Sequence, residues 1–133
     1  MEHLIELKNI SKIYHPGENE VRALDDVSLT IDQGEFVAII GQSGSGKSTL
    51  MNMLGCLDAV TAGICRIGGE DISSLSEDRL SGIRNREIGF IFQGFNLIPS
   101  LTAAENVELP LRYRGLPREE RRRLSALALE RVG

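Results

Sequence analysis

Apolar and polar positions change period several times along this chain, and each change marks an element. Leu4-Ile-Glu-Leu-Lys-Asn-Ile10 alternates with a period near two, which predicts a half-buried strand. Val21 to Ile31 alternates in the same way, with Val27, Leu29 and Ile31 on its inward face, and Gln33-Gly34 then turns the chain. Glu35-Phe-Val-Ala-Ile-Ile40 is almost wholly apolar and β-branched, the pattern of a strand covered on both faces. From Ser48 to Leu57 the apolar set Leu50, Met51, Met53, Leu54 and Leu57 has helical spacing. Ile64-Cys-Arg-Ile67 predicts a third short strand before a turn at Gly68-Gly-Glu-Asp71. Ser74-x-x-Glu77 is a capping-box pattern opening a helix to about Arg84, and Ile88-Gly-Phe-Ile-Phe92 predicts another apolar strand. A second capping box, Thr102-x-x-Glu105, begins a helix that Pro110 should end or kink. A last helix starts near Pro117 and continues to the C-terminus.

Between the apolar strand ending at Ile40 and the helical set beginning at Ser48 lies Gly41-Gln-Ser-Gly-Ser-Gly-Lys-Ser48. It matches G-x-x-x-x-G-K-[ST] in full, in the strand–loop–helix order that a phosphate-binding loop requires. Gly44 and Gly46 can take positive φ and let the backbone approach phosphate oxygens with no Cβ in the way. Successive N–H groups then form an anion nest, backed by the N-terminus of the following helix. Lys47 supplies charge for the β- and γ-phosphates, and the Ser48 hydroxyl is placed to ligate Mg²⁺. The chemistry implied is binding of a nucleoside triphosphate.

A length of 133 residues bounds the chain at one domain, and 41% hydrophobic residues suffice for a globular core. A formal net charge of −4 argues against a general nucleic-acid or membrane-surface binder. Cys56 and Cys65 sit in no metal spacing and read as two small apolar residues in a reducing compartment. The opening Met1-Glu-His-Leu-Ile-Glu6 lacks the basic and apolar regions of a signal peptide, and no window approaches a membrane span. Any membrane role would come through a partner.

Taken together, these residues resemble the ATP-binding subunits of ABC transporters, along the whole chain in order. The resemblance is carried by Leu7 to Tyr14, Gly34-Glu35-Phe36, Gly41 to Thr49, Leu54 to Asp58, Thr61-Ala62-Gly63, Ile88 to Gln93 and Leu101 to Val107. Ile88 to Leu97 and Asn106 to Gly115 look most like the group of lipoprotein-releasing, macrolide-exporting and cell-division ATPases. The resemblance implies an α/β, P-loop NTPase fold of the ABC ATPase type. It would comprise an antiparallel β subdomain with the P-loop core over about 1–92, then the glutamine loop and the start of a helical subdomain over about 93–133. It also implies roles. Tyr14, 27 residues ahead of Gly41, would stack on adenine, although read alone it is a strand-end tyrosine on a half-wet surface. Gln93, two residues before Phe95-Asn96-Leu97, would contact Mg²⁺ and the attacking water and couple the site to a membrane partner. The nucleotide-binding set is then Tyr14, Gly41, Gln42, Ser43, Gly44, Ser45, Gly46, Lys47, Ser48, Thr49 and Gln93, with Ser48 and Gln93 on the metal.

The family's signature motif, catalytic glutamate and switch histidine have no counterpart here; Leu80-Ser81-Gly82-Ile83 is a superficial echo in the wrong place. The expectation is an N-terminal portion of a longer cassette, inactive alone, with no catalytic residue of its own. The intact protein would be an ATP hydrolase on the inner face of the cell membrane, using ATP and Mg²⁺. Its partners would be a permease and a second ATP-binding subunit, and the permease would choose the substrate. Two other readings stay open: an ATPase of this fold regulating a membrane assembly such as cell division, and a truncated, non-catalytic nucleotide-binding module. Arg118 and Arg121-Arg122-Arg123, with Glu119 three and four residues away from the last two, read as a solvated helix face rather than a nucleic-acid site. His3 and His15 are too isolated to ligate metal, and Met51 and Met53 read as packing.

Overall fold

The computed structural model describes residues 3–15 and 17–133; Met1 and Glu2, part of the segment read as lacking a leader, lie outside the described residues. The chain divides after Arg84 into two compact units. In the first unit, β1 (Ile5–Tyr14) pairs antiparallel with β2 (Val21–Ile31) on one side and with β3 (Ala62–Ile67) on the other. A short β4 (Glu70–Asp71) closes a hairpin with β3, so that the described strands form one sheet in the order β2-β1-β3-β4. Helix α1 (Lys47–Leu54) follows the glycine-rich loop, and α2 spans Glu77–Glu87.

The expected alternation holds with one change of phase on each of the two long strands. Val27, Leu29 and Ile31 are half-buried between exposed Ser28 and Thr30, but Leu24 is the buried residue further up β2. On β1 the buried residues are Leu7 and Ile10. The register between β1 and β2 shifts after Leu7, after Ile10 and after Lys12, and at the first two shifts Asn9 (φ 51°) and Asp26 (φ 53°) occupy the left-handed region. Asn and Asp tolerate that conformation better than other residues with a Cβ. Here the two hold each other: Asn9 Nδ2 donates to Asp26 Oδ1 at 2.7 Å, the Asn9 N–H to Ser28 Oγ at 2.9 Å, and the Asp26 N–H to Ser11 Oγ at 3.1 Å. On β3 a Cβ at Gly63 would lie 2.3 Å from the Asn9 carbonyl oxygen, so the bulge presses on a position open only to glycine. Leu7, Ile10, Leu24, Leu50, Met53, Cys56, Cys65 and Ile72 make the core of this unit.

Two expected strands do not form. Residues 35–40 and 88–92 enter no ladder, and Phe36, Ile40 and Ile91 are 98%, 91% and 99% exposed. An apolar run of this kind is stable as a strand only with neighbours on both sides, and no described strand pairs with either run. The cap of α2 is also shifted. Ser76, not Ser74, accepts the Arg79 N–H through its Oγ at 3.4 Å, and its carbonyl takes the Leu80 N–H at 3.0 Å.

The second unit holds α3 (Ala103–Tyr113) and α4 (Arg118–Val132). Thr102 caps α3 as expected: its Oγ1 accepts the Glu105 N–H at 3.1 Å, and Glu105 accepts the Thr102 N–H at 3.2 Å. Pro110 does not end the helix, which runs on to Tyr113 with the Pro110 carbonyl accepting the Arg114 N–H at 3.1 Å. Pro117 precedes α4 in extended conformation, as its fixed φ favours. The arginine run is not wholly a solvated face. Arg121 donates to Glu108 of α3 at 2.8 Å, with both side chains mostly covered (21% and 14% exposed), and its Nη1 donates to the Leu116 carbonyl. Arg123 pairs with Glu120 rather than Glu119.

Candidate functional site

The glycine-rich loop leaves the turn at Asp32–Glu35 and enters α1. Gly44 (φ 80°) and Gly46 (φ 96°) take the left-handed conformation on either side of Ser45, whose N–H donates to the Gln42 carbonyl at 3.1 Å. Gly46 is needed for a second reason. A Cβ there would meet the Ala23 carbonyl oxygen at 2.6 Å and Leu24 Cδ2 at 3.3 Å, so the missing side chain lets the loop seat on β2. Gly46 is also the residue that starts α1, and no side chain caps that end. The first-turn N–H groups are therefore available to an anion. Lys47 begins the helix and folds its ammonium back onto the loop, donating to the carbonyls of Gly41 and Gln42 at 2.6 Å each and to Ser45 Oγ at 3.3 Å. Gln42 and Ser43 are exposed, as is Ser48, while Thr49 is half-buried and Leu50 buries the helix against the sheet. A helix start without a side-chain cap, two left-handed glycines and a lysine on the loop rim form a set that suits a polyphosphate. The Ser48 hydroxyl in the first turn is a hard oxygen ligand of the type Mg²⁺ prefers.

Tyr14 stands at the end of β1, half-buried. Its hydroxyl donates to Asp58 Oδ2 at 3.0 Å, and Lys12 Nζ lies 5.1 Å from its ring centroid. Lys12 also reaches Asp58 Oδ1 at 3.1 Å and the Ala59 carbonyl at 2.6 Å. Hydrogen bonds from Lys12 and Tyr14 outweigh the effect of burial and hold the Asp58 carboxyl below its ordinary range. Gln93 belongs to the second unit, in an exposed segment outside any helix or strand. That segment is anchored further on by Asn106 of α3: its Oδ1 accepts the Ile98 N–H at 2.8 Å, and its Nδ2 reaches the Thr102 carbonyl at 2.9 Å. Sequence reasoning gave Asp58, Lys12 and Asn106 no role. Their partners in the first two cases lie 44 to 47 residues away, a separation at which no local pattern speaks.

The ABC transporter family matches residues 24–133. This chain belongs to the ABC transporter family. Among relatives, it is 56% identical over 130 residues to the macrolide export ATP-binding/permease protein MacB of Hyphomonas neptunium, covering 98% of this chain and 20% of that protein. It is 53% identical over 133 residues to an uncharacterised ABC transporter ATP-binding protein of Thermotoga maritima, of which it covers 57%. Among solved structures, the ATP-binding cassette MJ0796, in a dimeric post-hydrolysis state bound to ADP and Pi, superposes with a TM-score of 0.86 at 49% identity. That match covers 95% of this chain and 56% of the cassette. The fold is thus that of an ABC-type ATPase cassette, and the chain spans between a fifth and somewhat over half of these relatives. Among the described residues no helix is long and apolar enough to cross a membrane, and no group of three or more His, Cys, Asp or Glu could hold a metal.

Proposed function

We propose that this ABC-family chain supplies the ATP-binding part of a transporter of the export or lipoprotein-release type, whose hydrolysis of Mg-ATP drives a membrane permease. The observation that carries this reading is the start of α1, without a side-chain cap, behind a loop with left-handed glycines on either side of Ser45. Gly41 to Thr49 hold the phosphates. Lys47 moves its ammonium from the Gly41 and Gln42 carbonyls to phosphate oxygens, exchanging neutral acceptors for charged ones. Ser48 and Gln93 would ligate Mg²⁺, whose charge would offset that of the phosphates. Tyr14 provides a π-face for the base. A second ATP-binding subunit completes the site in the assembled protein. The relatives support such partners: MacB is by name an ATP-binding/permease protein, and the MJ0796 cassette is dimeric. Work by the intact protein at the inner face of the membrane follows from the same reading.

Titration calorimetry tests the phosphate loop. Lys47→Ala should weaken Mg-ATP binding at least about tenfold, equivalent to about 1.4 kcal/mol. Equal affinity in the two proteins would remove the assignment.

A further inference from the structure

Beside the base-stacking position, three side chains satisfy one another. Asp58 accepts the Tyr14 hydroxyl on one carboxylate oxygen and the Lys12 ammonium on the other; the second oxygen also takes the Ala59 N–H at 2.8 Å. Lys12 Nζ stands over the Tyr14 ring, so one face carries a cation. Asp58 lies four residues beyond Leu54, the last residue of α1, and Lys47 is the first. One end of the helix therefore meets the phosphates and the connection from its other end grips the aromatic ring.

We propose that Asp58 and Lys12 are positioning residues of the nucleotide site, fixing the Tyr14 ring so that a purine base stacks on the face opposite Lys12 in register with phosphates held at the start of α1. The proposal rests on the reading of Tyr14 as the base platform. A tyrosine at a strand end otherwise samples several ring orientations, and base binding must then select one of them. The hydrogen bond to Asp58 makes that selection beforehand, which is how preorganisation strengthens a contact without adding one. Lys12 contributes in a second way, because a ring with one face occupied offers a single stacking surface. The same network could serve only to tie β1 to the connection between α1 and β3. The two roles predict different responses to a ligand with no base.

The experiment compares Mg-ATP with magnesium tripolyphosphate on the chain and on four variants: Tyr14→Ala, Tyr14→Phe, Asp58→Ala and the double variant Tyr14→Phe/Asp58→Ala. Tyr14→Ala should weaken ATP on the order of tenfold or more, as loss of a stacking partner does, and leave tripolyphosphate within twofold. Asp58→Ala and Tyr14→Phe should each weaken ATP by about three- to tenfold, the share that ordering one side chain represents, again sparing tripolyphosphate. The double variant should lose no more than the worse single one, because both remove the same hydrogen bond. Equal losses for both ligands in Asp58→Ala would overturn the proposal in favour of a tie between elements. So would an Asp58→Ala protein that binds ATP normally while Tyr14→Ala does not, a result that leaves the stacking role intact. If Tyr14→Ala itself binds ATP as tightly as the unaltered chain, the platform reading fails and takes the proposal with it. Tyr14→Phe, which keeps the ring and its packing, carries the same comparison if Asp58→Ala does not fold.

Discussion

At the scale of single residues, the two left-handed glycines of the phosphate loop do different work. Gly44 has open space where a Cβ would go, whereas a Cβ at Gly46 collides with the backbone of β2. Gly44→Ala should therefore cost only the strain of its positive φ, about 1 kcal/mol. Gly46→Ala adds a clash with a carbonyl that cannot move without disturbing the sheet. It should lower the thermal midpoint further and abolish measurable nucleotide binding. Comparable midpoints for the two variants would show that the loop does not rest on β2. Cys65 makes a second residue-level prediction. Burial pushes its thiol up to about 12, and the nearby Cys56 and Asp71 add to the effect. The folded chain therefore holds the Cys65 proton more tightly than the unfolded chain, whose thiol titrates near 9. This contribution to stability is complete below that value and is lost as pH rises from there through about 12. Denaturant melts between pH 7 and 11 should show stability falling at the alkaline end, with a smaller fall in Cys65→Ala. Burial likewise raises the Cys56 thiol, so both cysteines should resist a disulfide reagent at pH 8 until the chain unfolds.

At the scale of elements, the sequence was most legible where a local rule and a local partner coincide. The capping box of α3 is read from Thr102 and Glu105 alone, and the structure has both of its hydrogen bonds. Thr102→Ala should cost about 1 kcal/mol, seen as a lower denaturation midpoint. Legibility declined where two residues offered the same chemistry. Ser74 and Ser76 both precede an acidic first turn, and only the path of the chain from β4 decides that Ser76 caps. It failed where the partner is remote. Neighbouring glutamates suggested that the arginines of α4 pair along their own helix, yet Arg121 crosses to Glu108. That pair is enclosed enough for removal of one partner to leave a charge poorly solvated. Arg121→Ala should destabilise the α3–α4 unit by about 1.5–3 kcal/mol, while Arg123→Ala, at an exposed pair, should cost under about 1 kcal/mol. A double-mutant cycle with Glu108→Ala separates the pair from the packing of its stems.

At the scale of the whole molecule, the helix after the glycine-rich loop was legible because its spacing is local, and the antiparallel sheet because its period is two; the strand expected before the loop is absent. The runs at 35–40 and 88–92 form no strand. Their composition is that of strands covered on both sides, but a pattern cannot report whether partner strands are at hand. With Phe36, Ile40, Ile91 and Phe95 nearly fully exposed, the chain alone should bind a hydrophobic dye and self-associate. It should also release no phosphate from ATP in steady state, since Lys47 and Ser48 can hold phosphate and metal but neither is a carboxylate that orients an attacking water. Turnover that survives purification and is lost in Lys47→Ala would contradict that.

The facing irregularities at Asn9 and Asp26 bear on how this sheet can change over time. A strand keeps count by parity, and β1 resets its count once: Leu7 and Ile10 are both buried although they stand three positions apart. Tyr14 and Lys12 share the parity of Ile10. A one-residue deletion at 8–9 would remove the bulge and keep Ile10, Lys12 and Tyr14 facing as they do, once Asp26 is also deleted to bring β2 back into step. The same deletion between Ile10 and Tyr14 would turn the aromatic ring to the opposite side of the sheet, away from Asp58. The paired bulges thus mark where this strand tolerates a change of length; past Ile10 the remaining shift, after Lys12, is taken up by β2, and β1 itself has no residue to spare before Tyr14.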